Sequence, residues 1–208
     1  MVSLTNRRSV MTLFSGQCDP YSHQIRLVLA IKGVPADIVE VDPETKPEDL
    51  LDLNPYGTLP TLVERDLVLY QADVIMEFLD ERFPHPPLLP VYPVARANSR
   101  TITHRMRQDW YGHYETINLA VNAKEVTVAR KQLSESLLSS APLFSKKPFF
   151  MSDEFSLLDC YLAPLLWRLP SLEISLPESA DVIYDYAERI FKIPAFQSSL
   201  TELERELR

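Results

Sequence analysis

The most informative stretch of the chain is Gly57-Thr58-Leu59-Pro60-Thr61-Leu62, which sets a proline at the entry of a predicted strand. Proline has no N–H group to donate to a β-ladder, so within a sheet it is confined to strand starts, edges and bulges. A cis Leu59–Pro60 bond is one physical solution, because it turns the chain and leaves the adjacent backbone able to pair with a ligand. The motif becomes specific only together with the elements predicted on either side of it.

The elements around this motif alternate between strand and helix. Short runs of β-branched and apolar residues predict strands, whereas apolar residues three and four apart predict helices. One predicted helix begins at Pro20 and stops before Gly33, which are the usual positions of these two residue types at helix ends. The predicted order is a strand at 9–15, a helix at 20–32, a strand at 36–41, a helix at 48–53, strands at 61–64 and 67–70, and a helix at 72–83.

Proline density rises abruptly after these elements, with five prolines in residues 84–93. Because proline fixes φ and lacks a donor, this run predicts a stiff, extended linker between two domains. From Val94 onward the apolar pattern is helical. The predicted domains are therefore 1–83 and 94–208, joined by the linker 84–93.

Charge limits the partners that the chain can bind directly. The net charge is −8, and residues 1–84 hold 7 Lys and Arg against 14 Asp and Glu, a balance of −7. Sequence-independent binding to DNA or RNA needs many cations on phosphates, so we expect no autonomous DNA binding. Basic surfaces on other proteins are the better match for an acidic chain.

The sequence also lacks the signals of a membrane or secreted protein. No apolar run approaches the roughly 18 residues that a membrane-spanning helix needs. The first eight residues lack the apolar stretch of a secretory signal, and Cys18 and Cys160 form no Cys-x-x-Cys pair. We therefore expect a cytoplasmic protein with no metal and no cofactor. The missing dithiol argues against an oxidoreductase.

A second motif, Ser156-Leu157-Leu158-Asp159, has the spacing of a capping box and leads into the apolar run 160–169, which we expect to be a buried helix. The β-α-β-α-β-β-α order with Pro60 resembles the thioredoxin-like domain of glutathione transferases. The second motif is similar to the buried capping box in the helical domain of the same family. The resemblance implies a thioredoxin-like N-terminal domain followed by an all-helical glutathione-transferase C-terminal domain.

The same resemblance locates a glutathione site. In that family a Tyr, Ser or Cys near the start of the first helix activates the glutathione thiol. In cysteine-type members this residue immediately precedes the helix-opening proline, and here that position is Asp19, whose carboxylate would repel a glutathione thiolate and raise the pKa of the glutathione thiol. Family members hold the γ-glutamyl end with Glu-Ser or Gln-Ser, whereas this chain has Gln71-Ala72 and lacks the hydroxyl. We therefore expect Asp19, Leu59, Pro60, Gln71 and Ala72 to mark a degenerate glutathione site.

Further segments resemble a narrower family of this fold, stringent starvation protein A, whose members associate with bacterial RNA polymerase. The resemblance rests on Tyr21-Ser22-His23-Gln24-Ile25-Arg26, on the run from Asp80 to Pro93, and on the segments 153–156 and 166–170. A Pro-His-Pro surface element needed for activity in that family falls here on Pro84-His85-Pro86.

This second resemblance implies a transcription regulator that binds RNA polymerase holoenzyme and its sigma factor in starvation or stress, as a homodimer and without catalysis. The expected partner-binding residues are Pro84, His85, Pro86, Tyr92, Arg96, Arg100 and Arg107. The three arginines and His104 have the spacing of one helical face, and tyrosine is enriched at interface hot spots. Without the resemblance, the same residues describe a solvated linker and a solvated helix face. The alternative function is a glutathione-dependent transferase with an atypical site that uses Ser15, Cys18 or Tyr21.

Overall fold

A computed structural model of the chain describes residues 10–208. Contacts between its residues divide that part of the chain into two units. The first comprises the described residues up to Pro86 together with Pro194–Glu206, and the second comprises Pro87–Ile193 and Leu207–Arg208. The division after Pro86 falls inside the predicted linker. Pro194–Glu206, which the sequence assigns to the helical domain, groups instead with the first unit.

The first unit is built on a mixed four-stranded sheet. Before Pro86 its described elements are β1 (Met11–Gly16), α1 (Pro20–Lys32), β2 (Ala36–Val41), α2 (Glu48–Leu53), β3 (Thr61–Glu64), β4 (Leu67–Tyr70) and α3 (Ala72–Arg82). The strand order is β2-β1-β3-β4, with β1 parallel to β2 and antiparallel to β3, and β3 antiparallel to β4. The predicted thioredoxin-like arrangement is confirmed.

Within the first unit, the observed bounds differ from the predicted ones at the ends of two elements. β1 extends to Gly16 instead of ending at Ser15, and the predicted first residue, Ser9, lies outside the described residues. α3 ends at Arg82, because Phe83, with φ of −126° and ψ of 82°, has left the helical region.

Apolar side chains of the strands and helices form the core of the first unit. Phe14 on β1, Val41 on β2 and Leu50 on α2 make one buried cluster, and Leu59 packs against it. The residue that precedes the strand-entry proline is therefore held by the core. Residues 22–29 of α1 are buried throughout, as expected for a helix that lies between other layers.

The second unit is helical, as predicted. Its described elements are α4 (Pro93–Met106), a π-helical turn (Arg107–Tyr111), α5 (Gly112–Leu119), α6 (Ala123–Phe144), α7 (Leu157–Trp167), a 3₁₀ turn (Glu178–Ala180) and α8 (Asp181–Phe191). Its core includes α7, buried from Leu157 to Leu166, and the ring of Phe144, whose centroid lies 4.9 Å from Phe150 and 5.2 Å from Tyr186. None of the helices in residues 10–208 is long and apolar enough to cross a membrane.

Asp159 ties the start of α7 to the rest of this core, and the predicted capping box is confirmed. Its carboxylate accepts hydrogen bonds from the Ser156 N–H at 2.8 Å and the Ser156 hydroxyl at 3.0 Å. It also accepts from the Phe150 N–H at 2.9 Å and the Tyr186 hydroxyl at 2.6 Å. Burial raises the pKa of Asp159 in spite of these four donors. Burial, and next the charge of Asp159, raise the pKa of Tyr186 well above its ordinary value.

Two short helices of the first unit, α9 (Pro194–Ser199) and α10 (Glu202–Arg205), follow the helical unit in the chain. Arg26 on α1 donates to both carboxylate oxygens of Glu204 at 2.6 Å, and its Nε donates to the Ser199 carbonyl at 2.9 Å. The Arg26 and Glu204 side chains are 4% and 0% exposed. Because removing one partner of such a buried pair costs about 3–5 kcal/mol, this contact holds the C-terminal segment firmly on α1.

Candidate functional site

The start of α1 carries the first of the predicted site residues. Asp19 is the N-cap of the helix, and its carboxylate accepts from the Tyr21 N–H at 3.2 Å, the Ser22 N–H at 2.8 Å and the Ser22 hydroxyl at 2.6 Å. The Ser22 hydroxyl in turn accepts from the Gly16 N–H at 2.9 Å. The helix dipole stabilises a negative charge at this end. A helix cap therefore occupies the position that the resemblance assigns to the thiol-activating residue of cysteine-type members.

The strand-entry proline lies beside this cap. The Leu59–Pro60 bond is cis, as the sequence suggests. A Cβ atom on Gly16 would lie 2.7 Å from the Cβ of Asp19 and 3.5 Å from the Cδ1 of Leu59. Only glycine permits so close an approach, so Gly16 is the point where Asp19 and the proline turn come together.

Gln71 and Ala72 complete the predicted degenerate site. Thr61 lies opposite Tyr70 in the β3–β4 pair, so the residues flanking them, Pro60 and Gln71, end up at the same end of the sheet. Gln71 is exposed and has φ of +78°, while Ala72 is buried at the first position of α3 and has no hydroxyl to offer. The five residues predicted for this site thus lie where β1 ends and β3 begins.

The alternative catalytic residues differ in their surroundings. Ser15 is fully buried and its hydroxyl accepts from the Arg26 guanidinium, so this oxygen serves a buried network. Cys18 is exposed and Tyr21 is half-buried. Within residues 10–208, no three His, Cys, Asp or Glu side chains are grouped as they would be around a metal ion.

The predicted Pro84-His85-Pro86 element is exposed along its length, and a buried ion pair fixes its end. The Lys32 Nζ donates to the Pro86 carbonyl at 2.5 Å and to the Asp80 carboxylate at 2.5 Å. The side chains of Lys32 and Asp80 are 0% and 6% exposed. The carbonyl of Pro86 is thus anchored to α1 and α3, while the His85 ring is left exposed. Sequence reasoning missed this anchor, since nothing in the spacing of Lys32 and Asp80 links them to the prolines.

The other predicted partner-binding residues lie in the second unit. Tyr92 precedes α4 and is 78% exposed. Arg96 is half-buried and its Nε donates to the Pro90 carbonyl at 3.3 Å, whereas Arg100 and Arg107 are exposed. Arg107 opens the π-helical turn and does not belong to α4, which corrects the expectation of one continuous α-helical face. A π-helical turn holds more residues than an α-helical one and so changes the direction of the side chains that follow.

Comparison with known proteins agrees with this architecture. The family model for the glutathione S-transferase N-terminal domain matches residues 20–82, and the family model for the glutathione S-transferase C-terminal domain matches residues 101–194. A solved rice glutathione transferase in complex with glutathione superposes with a TM-score of 0.83 over 97% of this chain and 96% of that chain, at 22% identity. At that identity the likeness concerns the fold alone.

Sequence relatives are closer. A stringent starvation protein A homolog from Pasteurella multocida is 53% identical over 201 residues, which are 96% of this chain and 94% of that protein. A homolog of the same name from Coxiella burnetii is 51% identical over 203 residues, 97% of each chain. The similarity thus extends through both units.

Proposed function

The chain belongs to the stringent starvation protein A family, which has the glutathione S-transferase fold, and from this premise we propose that it regulates transcription by binding RNA polymerase and its sigma factor without catalysing a reaction. The binding residues in this proposal are Pro84-His85-Pro86 in the first unit and Tyr92, Arg96, Arg100 and Arg107 in the second. Promoter DNA is reached only through the polymerase.

The observation that carries the proposal is the anchored, exposed Pro84-His85-Pro86 element. Its prolines restrict φ, and Lys32 holds the Pro86 carbonyl, so the element loses little conformational entropy when a partner docks. The exposed His85 ring offers a donor, an acceptor and an aromatic face in one side chain. A short, rigid and exposed element of this kind suits recognition by another protein.

Two residues of the degenerate glutathione site support the part of the proposal that the chain catalyses no reaction. Asp19 accepts three hydrogen bonds as a helix cap, and a carboxylate at this position would oppose the formation of a glutathione thiolate. Ala72 leaves the γ-glutamyl group without a hydroxyl partner, which costs about 1–3 kcal/mol for each unpaired group.

A glutathione-dependent transferase is the second candidate, and the match of residues 20–82 to the glutathione S-transferase N-terminal domain is the observation that favours it. Asp19 and Ala72 both count against this candidate.

Alanine substitution tests the first candidate. Replacing all of Pro84, His85 and Pro86 is expected to abolish binding to the sigma factor–polymerase complex while the protein stays folded. The single variant His85→Ala keeps both prolines and is expected to lose about tenfold in affinity or more. Affinity and thermal stability are to be measured on the same preparation.

A matched control is available in the same unit. Pro35 and Pro43 are exposed prolines outside the proposed surface, and the double variant P35A/P43A suffers a similar entropic change in its unfolded state. It is expected to bind polymerase normally. Normal affinity of a well-folded triple variant would overturn the role of the element and move the search to Arg96, Arg100 and Arg107.

The proposal includes a homodimer that is not held by disulfides. Cys18 is exposed near the start of α1, whereas Cys160 is 0% exposed inside α7, and neither forms a disulfide. Light scattering at micromolar protein is expected to give the dimer mass with or without reductant. A monomer mass would refute the dimer. A mass that falls when reductant is added would show that a disulfide holds the dimer together.

A further inference from the structure

A groove of about 270 Å³ in the second unit runs beside residues 87–91, directly after the Pro-His-Pro element in the chain. Its lining includes buried Leu88 and Leu89 and half-buried Phe155. Val91, at 80% exposure, continues the apolar surface outward. Cavities that enclose a small-molecule ligand usually measure about 300–1,000 Å³, so this one is sized for one or two side chains of a partner.

The groove is already formed in the isolated chain. The Leu157 N–H donates to the Leu88 carbonyl at 2.9 Å, which joins the segment 87–91 to the start of α7. The Arg96 Nε donates to the Pro90 carbonyl at 3.3 Å, and the Glu154 N–H donates to the Ser152 hydroxyl at 3.1 Å. A preformed groove lowers the entropic cost of binding.

Glu154 gives the groove its electrostatic character. It is the only charged residue among the described residues that line the groove. Its neighbour Asp153 is paired with Lys147 at 2.5 Å, whereas the carboxylate of Glu154 has no ion-pair partner in the described part of the chain. A group that docks here therefore meets apolar walls and one uncompensated negative charge.

Exposed apolar residues continue from the groove along the chain. Tyr92 and Val94 are 78% and 75% exposed and follow Val91. Interfaces between proteins combine an apolar centre with a polar rim, and aromatic side chains are enriched at their hot spots. The run from Val91 to Val94 and the groove thus have the composition of a docking surface.

We propose that this groove receives an apolar side chain of the polymerase–sigma complex that is flanked by a Lys or Arg, with the apolar group between Val91 and Phe155 and the cation on Glu154. The inference rests on the proposed function and names the chemistry of the segment that the partner presents. It adds Val91, Glu154 and Phe155 to the proposed binding residues of the second unit.

Surface variants test this inference, with affinity for purified holoenzyme measured at two salt concentrations. Val91→Asp is expected to weaken binding about tenfold or more, because it places a charge beside the apolar walls. Glu154→Gln is expected to weaken binding about two- to fivefold and to flatten the salt dependence, and Glu154→Lys is expected to weaken it further. Both residues are exposed, so the melting temperatures are expected to match that of the unchanged protein.

Val121→Asp is the matched control, because Val121 is fully exposed in the same unit and does not line the groove. It is expected to bind holoenzyme normally. Normal binding by the Val91 and Glu154 variants would overturn the inference and leave the proposed function standing, as would an equal loss in Val121→Asp. A loss of affinity confined to Val91→Asp would overturn the part of the inference that places a Lys or Arg of the partner on Glu154. Failure of the unchanged protein to bind holoenzyme would overturn the proposed function, and this inference with it.

Discussion

The carboxylate of Asp19 is bound by the N–H groups of Tyr21 and Ser22 and by the Ser22 hydroxyl, at the positive end of the α1 dipole. A cap of this kind contributes about 1 kcal/mol to stability. The same charge opposes the formation of a thiolate nearby. Asp19 thus stabilises the helix and disfavours a thiolate close to its carboxylate.

Glutathione binding is the property most sensitive to this residue. We expect calorimetry to detect no micromolar binding of glutathione to the unchanged protein. The double variant D19N/A72S keeps a good N-cap, removes the charge and restores a hydroxyl, so it is expected to bind glutathione about tenfold more tightly or better. Micromolar affinity of the unchanged protein would contradict the prediction, as would a double variant that is folded and gains nothing.

At Asp159, burial affects the pKa of the carboxyl group more than hydrogen bonding does. Its pKa is raised above 3.8 because burial outweighs the donors from Phe150, Tyr186 and Ser156. The folded protein therefore holds the proton of Asp159 more tightly than the unfolded chain does. The stability that this group contributes is fully present below pH 3.8 and is lost as the pH rises through the folded-state pKa.

Asp159→Asn is expected to destabilise the protein by about 1–3 kcal/mol, because an amide has one acceptor oxygen for four donors. The difference in unfolding free energy between the unchanged protein and this variant is expected to shrink as the pH rises from 3.8 through the folded-state pKa of Asp159. Chemical denaturation across this range measures it, with Asp181→Asn, a change at an exposed aspartate, as the control for lost charge. A difference that grows with pH would show that the sign is wrong.

At the scale of the elements, the first unit was predictable because its signals are local. Pro20 and Gly33 mark the two ends of α1, and Gly33 takes the left-handed φ of 62° that favours glycine there. The strand pair of β3 and β4 follows from two apolar runs with a short turn between them. Signals of this kind depend only on neighbours in the sequence, so a single chain is enough to find them.

The placement of α9 and α10 was not predictable, because it depends on a contact between distant residues. Arg26 and Glu204 are 178 residues apart, and no periodicity connects them. Ser15 was a candidate nucleophile in the sequence, yet its hydroxyl is bound by Arg26. Buried polar networks of this type are satisfied only in the folded chain, so their members look like ordinary surface residues beforehand.

The Arg26–Glu204 contact makes a prediction about these two helices. Glu204→Gln leaves the buried guanidinium without its counter-charge and is expected to cost about 3–5 kcal/mol of unfolding free energy. Arg26→Met is expected to cost a similar amount, and the double variant R26M/E204Q less than the sum. Glu135→Gln, which removes an exposed pairing with Lys131, is expected to cost less than about 0.5 kcal/mol. If the double variant cost as much as the two single variants together, this would contradict an energetic coupling between Arg26 and Glu204.

For the whole molecule, the distribution of charge separates protein partners from nucleic acid. The net charge is −8, most of it from residues 1–84. Such a surface attracts basic protein segments and repels phosphates at long range. Cations do collect along α4 and the turn after it, but Arg96 is half-buried on the Pro90 carbonyl, and Arg105 lies 3.8 Å from the Asp109 carboxylate.

Binding to promoter DNA is therefore expected only when polymerase is present. Affinity for DNA grows with the number of phosphates that a protein neutralises. Each neutralised phosphate also adds about 0.9 to the slope with which the logarithm of the affinity falls against the logarithm of the salt concentration. With a repulsive net charge of −8, the protein alone is expected to leave a promoter fragment unshifted in a gel at about 0.1 M salt. With holoenzyme added, it is expected to shift the polymerase–DNA complex further. A shift by the protein alone that disappears as salt is raised would contradict this prediction, because it would require a cationic surface strong enough to overcome the net charge. A shift that needs holoenzyme and is lost in the Pro84, His85 and Pro86 alanine variant would place recognition on the protein partner.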